Sequence, residues 1–289
     1  MQSSYDFKPT RDPNGAAPQA TRLRYGRVEK DANERPELPG YAGGKVVALL
    51  LVGYVAAVLT ADTLATLGVV FLLDWRAWFD WRPSDLAAAL GTVLPRTVFE
   101  FLASPKANQF DLFKFTMWFM VPIAFSFWRM DWKAWGWGRW RWTDWLLLLL
   151  ALIGGIAAVM VIPYVPALSQ LYQAPQNLTV EQKLLLVFSY NLWCLSWLPG
   201  WEFLHRYVLL AALGKFLPRG GWGWLIVPLL IASSEAAYHL VKPWPETLGM
   251  FAFGFLASLW AYQRSNWLLP LIAHWFIEMA LIVFLVSLG

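Results

Sequence analysis

The chain has 289 residues, of which 58% are apolar and only 15% charged, with a mean hydropathy of +0.45. A soluble domain carries about 25% charged residues, so this composition excludes a water-soluble globular protein and implies an integral membrane one whose main partner is the lipid bilayer. The net charge of +4 is unevenly spread: eight of the 23 Lys and Arg fall in the first 45 residues, an asymmetry that membrane orientation explains without a nucleic-acid partner.

Residues 1–45 hold five prolines, five glycines and mixed charges without apolar periodicity, which reads as a polar, extended, cytoplasmic tail suited to holding a partner. No secretory signal is expected, because no apolar core follows the charged start. Runs able to cross ~30 Å of hydrocarbon are predicted at 46–73, 113–128, 146–165, 183–217, 222–241, 247–261 and 267–288. The fold class is therefore all-α: a polytopic transmembrane helical bundle of about seven spans. Residues 46–182 would supply the N-terminal spans and interfacial segments, and 183–289 a helical core. The fourth run is too long for a straight crossing and contains Pro199-Gly200, so a kink or break is expected there, with a new helical turn from Trp201.

With the N-terminus inside, the inner segments carry 15 Lys and Arg and the outer ones 6. Cytoplasmic loops are enriched in these residues, which puts the N-terminus in the cytoplasm and the C-terminus on the opposite side. Seven of the 20 tryptophans lie between Trp128 and Trp145, and three more at Trp75, Trp78 and Trp81, adjoining span ends where indoles favour the headgroup zone. The segment from Ser84 to Pro105, with Asp85 after a candidate Ser84 cap, reads as a helix lying on the outer surface. The single cysteine, Cys194, excludes an intrachain disulfide and reads as a small buried hydrophobe.

A charge near the bilayer centre costs ~3 kcal/mol, so each one marks a functional candidate. The fourth run contains Glu202, His205 and Arg206, the fifth Glu235 and His239, and the seventh His274 and Glu278. All three histidines of the chain thus stand within four residues of a glutamate. Spacings of three and four put side chains on one helix face, and three such faces turned to lipid would be costly, so they are expected to converge on one buried site. Asp62, in the first run, has no comparable partner and is expected to be satisfied by Thr60, Thr63 or Thr66 and water.

Order and spacing at these residues resemble the CPBP family of intramembrane endopeptidases, which includes the CAAX prenyl proteases and the bacteriocin-processing and immunity proteins. That family's pattern is Glu-Glu-x-x-x-Arg on one helix, Phe-x-x-x-His on a later one and His-x-x-x-Asn on the last. The resemblance covers roughly 183–288 and implies a membrane-embedded peptide substrate. It matches Glu202 to the second glutamate and Arg206 to the arginine, which organise the site, and His239 and His274 to the histidines that stabilise the oxyanion. Trp201 stands where the family has its water-activating glutamate, Glu235 replaces the phenylalanine and Glu278 the asparagine.

Peptide hydrolysis needs a base whose pKa lies near working pH, and an indole cannot serve. Either Glu202, Glu235 or Glu278 takes over, with Glu235 favoured because it shares a helix face with His239, or the chain keeps the fold without proteolysis. In that second reading it is a non-catalytic subunit or scaffold of a membrane complex, binding partner helices, lipid or pigment. A third reading is a divalent-metal site. Glu202-x-x-His205 has the spacing of di-metal carboxylate bundles, and Glu235, His239, His274 and Glu278 could complete the ligands. Arg206 beside the ion argues against it, and no cofactor is favoured.

Overall fold

The computed structural model describes residues 44–69, 78–129, 140–217 and 222–288, and among these every regular element is helical. The tail up to residue 43, Trp75 and the stretch 130–139 of the tryptophan-rich segment lie outside the described residues.

The first apolar run forms α1 (Lys45–Thr66). Two short helices follow, α2 (Pro83–Leu90) and α3 (Arg96–Leu102), in place of the single surface helix expected over this segment. The interruption falls at Gly91, whose φ of +48° a glycine adopts without steric cost, and at Pro95, which cannot continue a helix. The cap of α2 is Arg82 and not Ser84. Asp85, three residues on, accepts the Arg82 backbone N–H at 2.8 Å, while the Ser84 N–H donates to Asn108.

A π-helical segment, Lys114–Met120, leads into α4 (Val121–Arg129). Next come α5 (Trp142–Val161), the short α6 (Pro166–Leu171) and the long α7 (Val180–Phe203). A second π-helical segment, Leu204–Leu209, continues α7 into α8 (Leu210–Leu213), and α9 (Gly223–Tyr238), α10 (Trp244–Arg264) and α11 (Leu268–Leu288) complete the bundle. Four of the helical stretches are long and apolar enough to cross a membrane: Lys45–Thr66, Trp142–Tyr164, Gly223–Val241 and Leu268–Leu288.

Of the kink or break expected at Pro199-Gly200, the break does not occur. Helix α7 runs through both residues, and its irregularity comes one turn later, as the π-helical turns that carry His205 and Arg206. Such turns hold one residue more than an α-turn and recur at functional sites. Gly200 has a packing role instead: a Cβ there would lie 2.7 Å from Cβ of Trp118, so the absent side chain lets the π-helical Lys114–Met120 segment press against α7.

Helices α5 and α11 run side by side in the same direction. Leu148 packs with Leu269 and Ala273, and Val159 and Ile162 with Leu281 and Leu285. At mid-length Gly155 lies so close to Ile277 that a Cβ would meet its Cγ1 at 2.7 Å. On the adjacent face of α11, Tyr190 and Cys194 of α7 pack against Ile282 and Val286, with Cys194 fully buried. The largest apolar cluster joins α1, the π-helical segments and α8 around Trp118, Trp201, Phe203 and Trp267. Polar residues of α7, α9 and α11 are thereby enclosed by protein.

Candidate functional site

The three acid-imidazole runs meet in one buried network. Arg206, set by the π-helical turn of α7, reaches α9 and grips Glu235 with both terminal nitrogens, Nη1 to Oε1 at 2.7 Å and Nη2 to Oε2 at 3.0 Å. Its Nε lies 3.3 Å from Oε2 of Glu202 on its own helix. The other Glu202 oxygen accepts from Nδ1 of His274, on α11, at 2.6 Å. Glu202, Glu235 and Arg206 have essentially no exposed surface. Two carboxylates sharing one guanidinium satisfy the rule that buried charges must be paired, and the fork geometry of arginine lets one cation serve both acids.

Glu235 comes this close to Arg206 because α10 offers it a gap. A Cβ on Gly254 would lie 1.9 Å from Oε2 of Glu235, so only glycine leaves room for the carboxylate against the α10 backbone. Both oxygens of Glu235, the carboxylate the sequence favoured as the replacement base, are thus engaged by Arg206. Glu278 is held differently: Oε2 accepts from the Tyr190 hydroxyl, while Oε1 faces His274 Nε2 across 3.9 Å, wider than a direct hydrogen bond.

All three imidazoles are anchored through Nδ1. His205 donates to the Trp201 carbonyl at 2.8 Å, His239 to the Glu235 carbonyl at 2.9 Å, and His274 to Glu202. A carbonyl oxygen can only accept, so Nδ1 carries the proton in the first two. The Glu202 carboxylate, salt-bridged to Arg206, orients His274 in the same way. In each neutral ring Nε2 is then the basic nitrogen. His205 Nε2 is buried with no hydrogen-bond partner among the described residues. His274 sits between two aromatic rings, Trp197 of α7 at 5.9 Å and Phe253 of α10 at 4.9 Å between centroids.

Trp201 closes the opposite flank. Its ring lies 4.2 Å from that of His205, 5.0 Å from Tyr238, 5.6 Å from His239 and 5.8 Å from Trp118. Behind this layer the Tyr238 hydroxyl donates to Asp62 of α1, and Lys114 Nζ lies 3.2 Å from the same carboxylate. Asp62 is thus met by a lysine and a phenol from two other elements. Of the threonines expected to serve it, Thr63 donates to the Leu59 carbonyl and Thr66 to that of Asp62 itself.

Beyond Glu278, Lys106 lies over the rings of Trp193 at 3.7 Å and Tyr190 at 5.0 Å from the centroids. Burial there pushes the Lys106 ammonium below the usual lysine range. Sequence reasoning missed Tyr190, Tyr238, Lys106, Lys114 and Gly254. Only Tyr238 stands within one of the acid-imidazole runs, at a position to which that pattern gives no role, and each acts through a partner distant in the chain.

Compared with protein-family models, curated proteins and solved structures, the chain matches none. What the site can do is therefore read from its own geometry. Arg206 stands between the two carboxylates, where a bound cation would otherwise compensate them. Among the described residues no group of three or more His, Cys, Asp or Glu side chains is arranged to hold a metal ion. The arrangement suits proton transfer at an oriented imidazole, with a second carboxylate close by.

Proposed function

We propose that this membrane protein is a divergent intramembrane endopeptidase of the CPBP type, crossing the bilayer about seven times with its N-terminus in the cytoplasm. Four apolar helices of spanning length, the shorter apolar helix Lys114–Phe127, the continuous helical path from Val180 to Leu213 and the 21-residue α10 support that count. The asymmetry of Lys and Arg between alternate loops supports the orientation.

The observation that carries the reading is the 2.6 Å contact between Glu202 and His274 Nδ1, with Nε2 turned toward Glu278. A carboxylate that fixes the Nδ1–H tautomer leaves Nε2 to act as a general base and stabilises the imidazolium that forms. In this mechanism a water held between Nε2 and Glu278 adds through its oxygen to the carbonyl carbon of a peptide bond. Its proton passes to Nε2 and is then given to the leaving amine as the C–N bond breaks. His274 thus takes the task that the family's first glutamate performs and that Trp201 cannot. Arg206 and Glu235 hold Glu202 in place.

The test needs no prior substrate. Membranes from cells expressing the wild-type chain are compared with those expressing His274→Ala for newly formed peptide termini within apolar segments. Termini present only with the wild type, and lost again in Glu202→Gln, support the reading; identical sets from all three refute it. The packing of Trp201 against His205, Tyr238, His239 and Trp118 favours a second reading, a non-catalytic subunit of a membrane complex. That reading predicts identical termini together with a fixed set of co-purifying subunits.

A further inference from the structure

The two flanks of the buried network differ in a way that identifies its route to water. On one flank Trp201 is almost fully buried and packed against four rings, and behind those rings Asp62 is fully enclosed while its partner Lys114 keeps 22% of its side chain exposed without contacting an imidazole among the described residues. On the other, the Glu278 side chain keeps 17% of its surface exposed and joins the network only through His274. Tyr190 of α7 and His274 of its own helix face Glu278, and Lys106, from the turn after α3, lies over the Tyr190 ring. A partly exposed carboxylate with an ammonium close by would be costly against hydrocarbon, so this flank meets water or headgroups.

We infer that Glu278 and Tyr190 form the gate through which His274 exchanges protons with the aqueous phase, on the side where α7 begins and α11 ends. The protonated imidazole gives its Nε2 proton to the Glu278 carboxylate, directly after a small side-chain rotation or through one water spanning the 3.9 Å gap. The N–H bond breaks as the O–H bond forms, and the resulting carboxylic acid releases the proton to water at its exposed edge. The Tyr190 hydroxyl holds the far oxygen, so that Oε1 is the one presented to His274. Tyr190 is therefore a positioning residue. This inference rests on the placement of His274 and holds whether or not a peptide bond is cut.

Deuterium exchange at the imidazole C2 position, followed peptide by peptide by mass spectrometry on the full-length protein in lipid nanodiscs, reads each histidine separately. Exchange at His274 is expected to be faster than at the enclosed His205. Glu278→Gln is expected to slow it about tenfold, the scale of losing one close anionic neighbour. Tyr190→Phe should slow it less, and His239 should keep its wild-type rate in both variants. An unchanged His274 rate in Glu278→Gln, or equal slowing at all three histidines, overturns the gate. Cys194, the sole cysteine, is fully buried and reports folding by its resistance to maleimide. Should Glu278→Gln lose that protection, the Tyr190→Phe rate decides. Expected exchange together with unaltered membrane termini would refute the hydrolytic reading and leave the gate standing.

Discussion

Gly254 is the residue on which the central ion pair most directly depends, and its replacement by alanine gives a sharp test. The new Cβ would stand 1.9 Å from Oε2 and 3.1 Å from Cδ of Glu235, with the Ala232 Cα at 3.4 Å. The carboxylate must therefore move, which breaks the 3.0 Å bond from Arg206 Nη2. A hydrogen bond to a charged group contributes about 1.5–3 kcal/mol, and overpacking a tight site adds about 1–3 kcal/mol. Alanine in place of glycine within a helix returns about 0.5–1 kcal/mol. The expected net destabilisation is about 1.5–5.5 kcal/mol. Gly249, on the same helix with nothing within 4 Å of its virtual Cβ, is the matched control. Gly249→Ala should be neutral or stabilising by up to about 1 kcal/mol. Unfolding of both variants in the same detergent, followed by maleimide labelling of Cys194, measures the difference. Equal stability of the two would refute the claim that Glu235 is clamped between Arg206 and the α10 backbone.

Arg206→Lys keeps the charge but replaces a planar fork by a single ammonium, which cannot bridge both glutamates at the observed distances. The expected cost is about 2–4 kcal/mol by the same labelling assay, and a variant as stable as wild type would show that charge alone suffices. At the second polar cluster, Asp62→Asn and Lys114→Met should each destabilise. The double variant should cost less than their sum by at least about 1 kcal/mol, because the two groups share one ion pair whose carboxylate is fully buried. Strict additivity would remove that pair as the tie between α1 and the Lys114–Met120 segment.

The composition and the placement of charges carried much of this protein. Apolar runs separated by polar turns dictate helices in lipid, because every backbone N–H and C=O in a span must bond within its own segment. Acid-imidazole pairs at spacings of three and four dictate a shared helix face, and the expense of turning three such faces to lipid points them toward one another. Those facts are local or solvent-driven, so periodicity and residue type suffice to read them. The assignment of partners within the site is another matter. Glu235 reads from the sequence as the replacement base on the helix face of His239, yet the π-helical turn after α7 swings Arg206 onto it, and Gly254, on a third helix, makes the space. Asp62 reads as a residue for nearby threonines, yet Lys114 and Tyr238 reach it from elements 52 and 176 positions away. Pro199-Gly200 reads as a break, yet close packing of Trp118 turns the glycine into a contact surface and the helix continues. Which charge meets which, and which flank is sealed by rings, follow from the rotation and spacing of packed helices, and only the tertiary structure fixes those.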